Sequence, residues 1–309
     1  MSFAFFFPGQ GSQSLNMMSG FDQISCVKDT FVEASDVLGQ DLWAMINGTD
    51  EAVINSTVNT QPLMLTAGIA TYRAYLEAQG KPPSVVAGHS LGEYSALVAA
   101  QSLSFEDAIK LVRVRAQLMQ EAVPEGIGAM AAILGLDDEA VKAVCVNSAQ
   151  GEIVEAVNFN AKGQVVIAGN ASAVERAMLA AKEAGAKRAL PLPVSVPSHC
   201  ALMKGAAEKL AHALDSITVN KPTICVLHNV DVQSYSDSAA IKDALVRQLY
   251  SPVLWTQTVA SLADEGVHLS AECGPGKVLA GLTKRITDKM NCQPLVKMDD
   301  VHQFISTLQ

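Results

Sequence analysis

Short, wholly apolar runs alternate along this chain with longer stretches whose apolar residues recur every three or four positions. FAFFF (Phe3–Phe7) is continuous rather than alternating. That pattern predicts a buried strand of a parallel sheet covered on both faces. SVVAGH (Ser84–His89) reads the same way, with a helix to follow from about Leu91. Another helix is predicted from Ser104 to Gln120. Ser104 is placed to cap it, Asp107 lies in its first turn, and Ile109, Val112, Ala116 and Met119 share one face. This rhythm argues for an α/β layer fold with a mostly parallel sheet.

The middle of the chain follows a different order. It reads as strand Ala129–Leu134, helix Asp137–Val146, strands Ile153–Asn158 and Val165–Ala168, helix Ala171–Ala184 with Gly185 as its C-cap, and strand Arg188–Leu192. That is βαββαβ, the ferredoxin-like pattern, which closes on itself as a small unit. The expected division is a catalytic domain of residues 1–124 and 197–309, with residues 125–196 as an inserted small domain. After the insert come a helix (Ala201–Leu214), a strand (Ile224–His228), helices near Ala239–Leu249 and Thr256–Ala263, and a strand (Val267–Glu272). A GPG turn, a helix from Lys277 and short elements near Leu295 and Val301 close the chain.

Composition narrows the classes of function. The chain has 309 residues, 49% of them hydrophobic, enough for a substantial core. A formal net charge of −9 is opposite to that of a general nucleic-acid binder. No run is long and apolar enough to suggest a membrane span, and no basic residue precedes the apolar start, so a secretory leader is not expected. Six scattered cysteines without CxxC pairs fit reduced thiols in the cytoplasm, with neither a metal site nor a disulfide framework.

Chemistry concentrates at Gly88-His89-Ser90-Leu91-Gly92. This matches G-x-S-x-G, in which a serine is exposed on a sharp strand-to-helix turn and the helix N-terminus faces the reacting carbonyl. The pattern is common by chance; its position between an apolar strand and a helix is what supports a nucleophile at Ser90. The bland alternative is a tight junction. A serine needs a base. His89 is adjacent but should point away and support the turn. His212 reads as a surface residue and His228 as a structural one. His268 falls inside a predicted strand. His302 would suit a hydrolase of Ser…acid…His order. His199, in the Pro-restricted VPSHC loop, is favoured by position. FPGQGSQ (Phe7–Gln13) is either a plain glycine turn or the source of an oxyanion donor at Gln10 N–H. Arg115 is either a surface arginine, like its neighbour Arg113, or a clamp for a substrate carboxylate.

Taken together, FPGQGSQ, GHSLGEYSAL, LVRVRAQLMQEAVPEGIGAM, PVSVPSHCALM and ECGPGKVL occur in an order that resembles the acyltransferase family. The resemblance is to the malonyl-CoA:acyl carrier protein transacylases of bacterial fatty-acid synthesis, and it spans essentially the whole chain. It implies an α/β-hydrolase-like large domain with a ferredoxin-like insert. It also implies Ser90 as nucleophile, His199 as base, and the backbone carbonyl of Gln248 as the group orienting that base. The backbone N–H groups of Gln10 and Leu91 become the oxyanion hole. Arg115 becomes the carboxylate clamp, with Gln61 and Asn160 as polar pocket residues. Malonyl-CoA is the implied substrate and acyl carrier protein the partner, with no bound cofactor and a monomeric state. Lys187/Arg188 and Lys284/Arg285 are candidate docking charges for an acidic carrier. The rival readings are an acyltransferase of a polyketide or polyunsaturated fatty-acid synthase, a serine esterase or thioesterase using His268 or His302, and a noncatalytic carrier-binding module.

Overall fold

The computed structural model describes residues 2–124, 126–194 and 196–309. Glu125, where the expected insert begins, and Ser195, in the segment that ends it, lie outside the described residues. The strands are β1 (Ala4–Phe7), β2 (Val85–Gly88), β3 (Gly128–Leu134), β4 (Val154–Ala161), β5 (Gln164–Asn170), β6 (Arg188–Pro191), β7 (Cys225–Leu227), β8 (Leu269–Cys273) and β9 (Asn291–Leu295). They form two sheets. One is parallel throughout, in the order β7-β2-β1-β8-β9. The other is antiparallel, in the order β4-β5-β3-β6.

β1 shows why its run is unbroken. Phe3, Phe5 and Phe7 pack into the large core beneath the helices on one side, while Ala4 and Phe6 join a second cluster on the other. Alternate side chains leave opposite faces of a strand, so a strand covered twice must be apolar at every position. The antiparallel sheet has its own core of Ile133, Val141, Phe159, Ile167 and Val174, among others, formed with the helices Asp138–Ala149 and Ala171–Glu183. The mixed α/β class with a parallel sheet and a separate βαββαβ sheet therefore holds.

Several details differ from the pattern-based expectation. Ala184 is the C-cap of its helix, and Gly185 follows it at φ 98°. The helix expected from Ala201 begins as a 3-10 turn (Ala201–Met203) before the α-helix Lys204–Asp215. His268 precedes β8 rather than lying within it, and is exposed. Four helices between Ser25 and Glu77 were not read from the pattern at all. The longest, Thr57–Glu77, is buried on nearly every face and contains Pro62, so it shows no apolar stripe.

The two glycines of the turn are dictated by close approach. A Cβ on Gly88 would sit 1.8 Å from the backbone carbon of Gly92, and one on Gly92 would sit 2.0 Å from the Phe7 carbonyl oxygen. Only bare backbone lets the helix Gly92–Ala99 start so close to the ends of β1 and β2.

Candidate active site

β2 ends at Gly88, and the chain turns through Ser90 at φ 50° into the helix Gly92–Ala99. A non-glycine residue at positive φ is strained, and such strain persists only where the surroundings enforce it. Ser90 Oγ lies 2.7 Å from Nε2 of His199. His199 is itself at φ 66°, in the loop before the Ala201–Met203 turn. Its Nδ1 is 2.7 Å from the backbone carbonyl of Gln248, the last residue of helix Ser238–Gln248. A carbonyl can only accept, so Nδ1 carries the proton and Nε2 presents a lone pair to the serine hydroxyl. Burial, and then the positive charge of Arg115, push the His199 pKa down to about 3. The imidazole is therefore neutral and able to accept a proton.

Arg115 comes from helix Phe105–Ala122 and is only 1% exposed. Its Nη1 donates to Gln61 Oε1 at 2.7 Å, and its Nη2 donates to Gln248 Oε1 at 3.0 Å and lies 3.4 Å from Ser90 Oγ. Its guanidinium rests over the Tyr94 ring at 5.4 Å. Among the described residues no carboxylate forms an ion pair with it, and its Nε has no hydrogen-bond partner. A buried, unpaired guanidinium is expensive, and an incoming anion would remove that cost. Arg113, by contrast, reaches out to Gln40 at 2.5 Å.

The cavity over Ser90 has a volume of about 180 Å³. Ser90, His199, Arg115, Gln61 and Asn160 line it, together with Gln10 and Leu91. The backbone N–H groups of Gln10 and Leu91 have no acceptor among the described residues. Gln10 follows β1 at the carboxyl edge of the parallel sheet, and Leu91 sits at the start of the helix, where N–H groups carry partial positive charge. Asn160 Oδ1 is 2.8 Å from His89 Nε2, so His89 braces the pocket wall rather than the serine hydroxyl.

The other histidines lie elsewhere. His268 Nδ1 is 3.0 Å from the Lys289 carbonyl, and His302 is an exposed residue of helix Met298–Thr307; neither lines the cavity. His212 is exposed. His228 is fully buried, with Nδ1 2.7 Å from Glu93 Oε1. Pattern reading missed Glu93 and Asn229, which lie directly behind the serine. Asn229 Oδ1 accepts from Ser90 N–H at 2.7 Å across a separation of 139 residues, and no local spacing advertises such a contact.

Residues 4–300 match the family model described as acyl transferase domain. The chain is 56% identical over 294 residues to the malonyl CoA-acyl carrier protein transacylase of Salmonella typhimurium, covering 95% of each chain. It superposes on an acyl-carrier-protein S-malonyltransferase from Burkholderia pseudomallei with a TM-score of 0.97 and 54% identity, covering 99% of this chain and 100% of that one. A structure described as a type II PKS acyl-carrier protein in complex with its malonyl-transacylase matches with a TM-score of 0.98 and 52% identity, covering 99% and 100%.

Proposed function

We infer, from the premise that the chain belongs to the acyl transferase domain family, how its site carries out that family's chemistry. The protein is a malonyl-CoA:acyl carrier protein transacylase. It moves the malonyl group from coenzyme A to the phosphopantetheine thiol of acyl carrier protein; the pathway we propose that it supplies is fatty-acid synthesis. The reaction needs no cofactor.

The residue roles are our proposal. Nε2 of His199 takes the hydroxyl proton as Ser90 Oγ attacks the thioester carbonyl. The Oγ–C bond forms, and the carbonyl electron pair moves onto oxygen, between the N–H groups of Gln10 and Leu91. When the carbonyl re-forms, the C–S bond breaks and the proton on His199 passes to the coenzyme A sulfur. Malonyl-Ser90 remains. The carrier thiol then attacks with its proton going to His199, and the steps reverse. The Gln248 carbonyl keeps the imidazole in the required tautomer throughout. Gln61 orients Arg115, and Asn160 offers its amide N–H to the acyl donor.

The observation that carries this reading is the buried guanidinium of Arg115, without a carboxylate ion pair among the described residues and 3.4 Å from the serine hydroxyl. A malonyl carboxylate is the group that would complete it, through paired charge-assisted hydrogen bonds. We further propose that the protein is a cytoplasmic monomer; no helix among the described residues is long and apolar enough to cross a membrane. We place the domain boundaries at 1–124 with 197–309, and 125–196. The exposed Lys187/Arg188 and Lys284/Arg285 pairs are proposed to guide an acidic carrier.

Steady-state kinetics with malonyl-CoA and the phosphopantetheine form of acyl carrier protein test the reading. Malonyl-carrier should accumulate, with double-reciprocal lines that stay parallel as the second substrate is varied. Intersecting lines would reject the covalent intermediate.

A further inference from the structure

The backbone of Ser90 is gripped at both of its polar groups by side chains from distant segments. Its N–H donates to Asn229 Oδ1 at 2.7 Å, and its carbonyl accepts from Gln248 Nε2 at 2.9 Å. Asn229 also closes on the preceding turn, where its Nδ2 donates to the Gly88 carbonyl at 2.7 Å. Both of these residues are tied to one carboxylate. Glu93 Oε2 accepts from Asn229 N–H and from Gln248 Nε2, each at 2.9 Å, while Oε1 faces His228 Nδ1 at 2.7 Å. Glu93, His228 and Gln248 are 0% exposed and Asn229 is 1% exposed.

A carboxylate this deep is costly unless its lone pairs are used, and here both oxygens are engaged. It also supplies something an apolar residue could not. An amide presents a donor on one side and an acceptor on the other, and the two ends are nearly the same shape. Glu93 and the Ser90 carbonyl are both acceptors, so Nε2 of Gln248 must face them. That leaves Oε1 to receive Arg115. Asn229 is fixed in the same way, between a carbonyl at Gly88 and an N–H at Ser90. Without these restraints, a serine at φ 50° would relax toward an ordinary conformation and its hydroxyl would swing away from His199. Because Asn229 occupies the Ser90 N–H, stabilisation of the oxyanion falls to the neighbouring N–H of Leu91 and to that of Gln10.

We propose that Glu93, Asn229 and the side chain of Gln248 are positioning residues for acyl transfer: a buried carboxylate holds the Asn229 backbone and orients the Gln248 amide, and the two side-chain amides clamp the Ser90 backbone and aim its hydroxyl at His199. The proposal rests on Ser90 being the nucleophile.

Asn229 gives the cleanest test, since among the described residues its side chain bonds to Ser90, Gly88 and, at 3.5 Å, Gln248, and not to Arg115 or His199. Asn229→Ala removes the bonds to the Ser90 N–H and the Gly88 carbonyl and leaves that from Gln248 to the Ser90 carbonyl. Asn229→Asp keeps the volume but sets a carboxylate oxygen against the Gly88 carbonyl. After thermal unfolding confirms a folded protein, rapid-quench acylation by malonyl-CoA is measured across concentrations, beside the wild type. Sulfonylation of Ser90 by phenylmethanesulfonyl fluoride, which needs no carboxylate clamp, is measured in parallel. The maximal acylation rate should fall about a hundredfold with half-saturation changed by less than about twofold, and sulfonylation should slow alongside. A folded variant that acylates at the wild-type maximal rate would overturn the proposal, as would a loss confined to half-saturation. Should the alanine variant fail to fold, the aspartate variant is judged by the same readings. A wild type that forms no malonyl adduct would instead indict the transferase reading.

Discussion

Arg115 Nη2 lies 3.4 Å from Ser90 Oγ, so the charge that would recognise the acyl group sits beside the atom that would attack it. On the proposed roles, recognition and reaction would thereby be joined: an acyl chain whose carboxylate lay on the guanidinium would have its thioester carbonyl delivered to the serine.

Replacing Arg115 with alanine should therefore change the choice of substrate more than the chemistry. Loss of a buried charge partner typically costs about 2–5 kcal/mol, so kcat/KM for malonyl-CoA should drop on the order of a hundredfold or more. Acetyl-CoA should lose much less, since it offers no anion. Competition between the two donors checks this, and an unchanged malonyl preference would remove Arg115 from the recognition step.

The low pKa of His199 predicts an unusual pH profile. Burial and Arg115 hold it at about 3, so the free enzyme keeps a neutral base well below the ordinary histidine value of 6.5. The acid limb of kcat/KM should lie clearly below that value. Binding malonyl neutralises Arg115 and withdraws the second of those causes, so the acid limb of kcat should appear at higher pH than that of kcat/KM. His199→Ala should abolish this limb and cost about 10²- to 10⁴-fold in rate. An acid limb of kcat/KM at the ordinary histidine pKa would contradict the account.

Glu272 makes an independent prediction about stability. It is fully buried on β8; Oε2 accepts from Ala280 N–H at 2.8 Å, and Oε1 has no partner among the described residues. Burial raises its pKa from 4.5 to about 7. A group whose folded pKa lies above its unfolded value binds more protons when folded. Its contribution is complete below 4.5 and is lost as pH rises through about 7. Glu272→Gln cannot ionise, so denaturant unfolding should show the wild type losing stability relative to the variant between pH 5 and 8. A constant difference across that range would show that Glu272 does not titrate there.

How far the chain could be read without coordinates depended on the distance over which each feature is encoded. The junction at Ser90 was legible because G-x-S-x-G stands between an apolar strand and a helical pattern; of its glycines, Gly88 answers a neighbour in sequence, Gly92, while Gly92 answers a distant one, Phe7. The βαββαβ unit was legible because its helices keep one buried face. Thr57–Glu77 was not, because burial on nearly all sides erases periodicity. His199 could be favoured over its rivals only by its loop context, and the Gln248 carbonyl entered only through family resemblance. Asn229 and the Gln248 side chain reach Ser90 across 139 and 158 residues, and only the folded chain brings them together.

The central claim is that Ser90 carries the malonyl group between two thiols. Intact-protein mass spectrometry after brief mixing with malonyl-CoA tests it most directly, with Ser90→Ala as the control. The account predicts a single malonyl adduct on the wild type, absent from the variant and discharged when the phosphopantetheine form of acyl carrier protein is added. An adduct that survives Ser90→Ala, or a wild type that releases free malonate without passing it to the carrier, would contradict it.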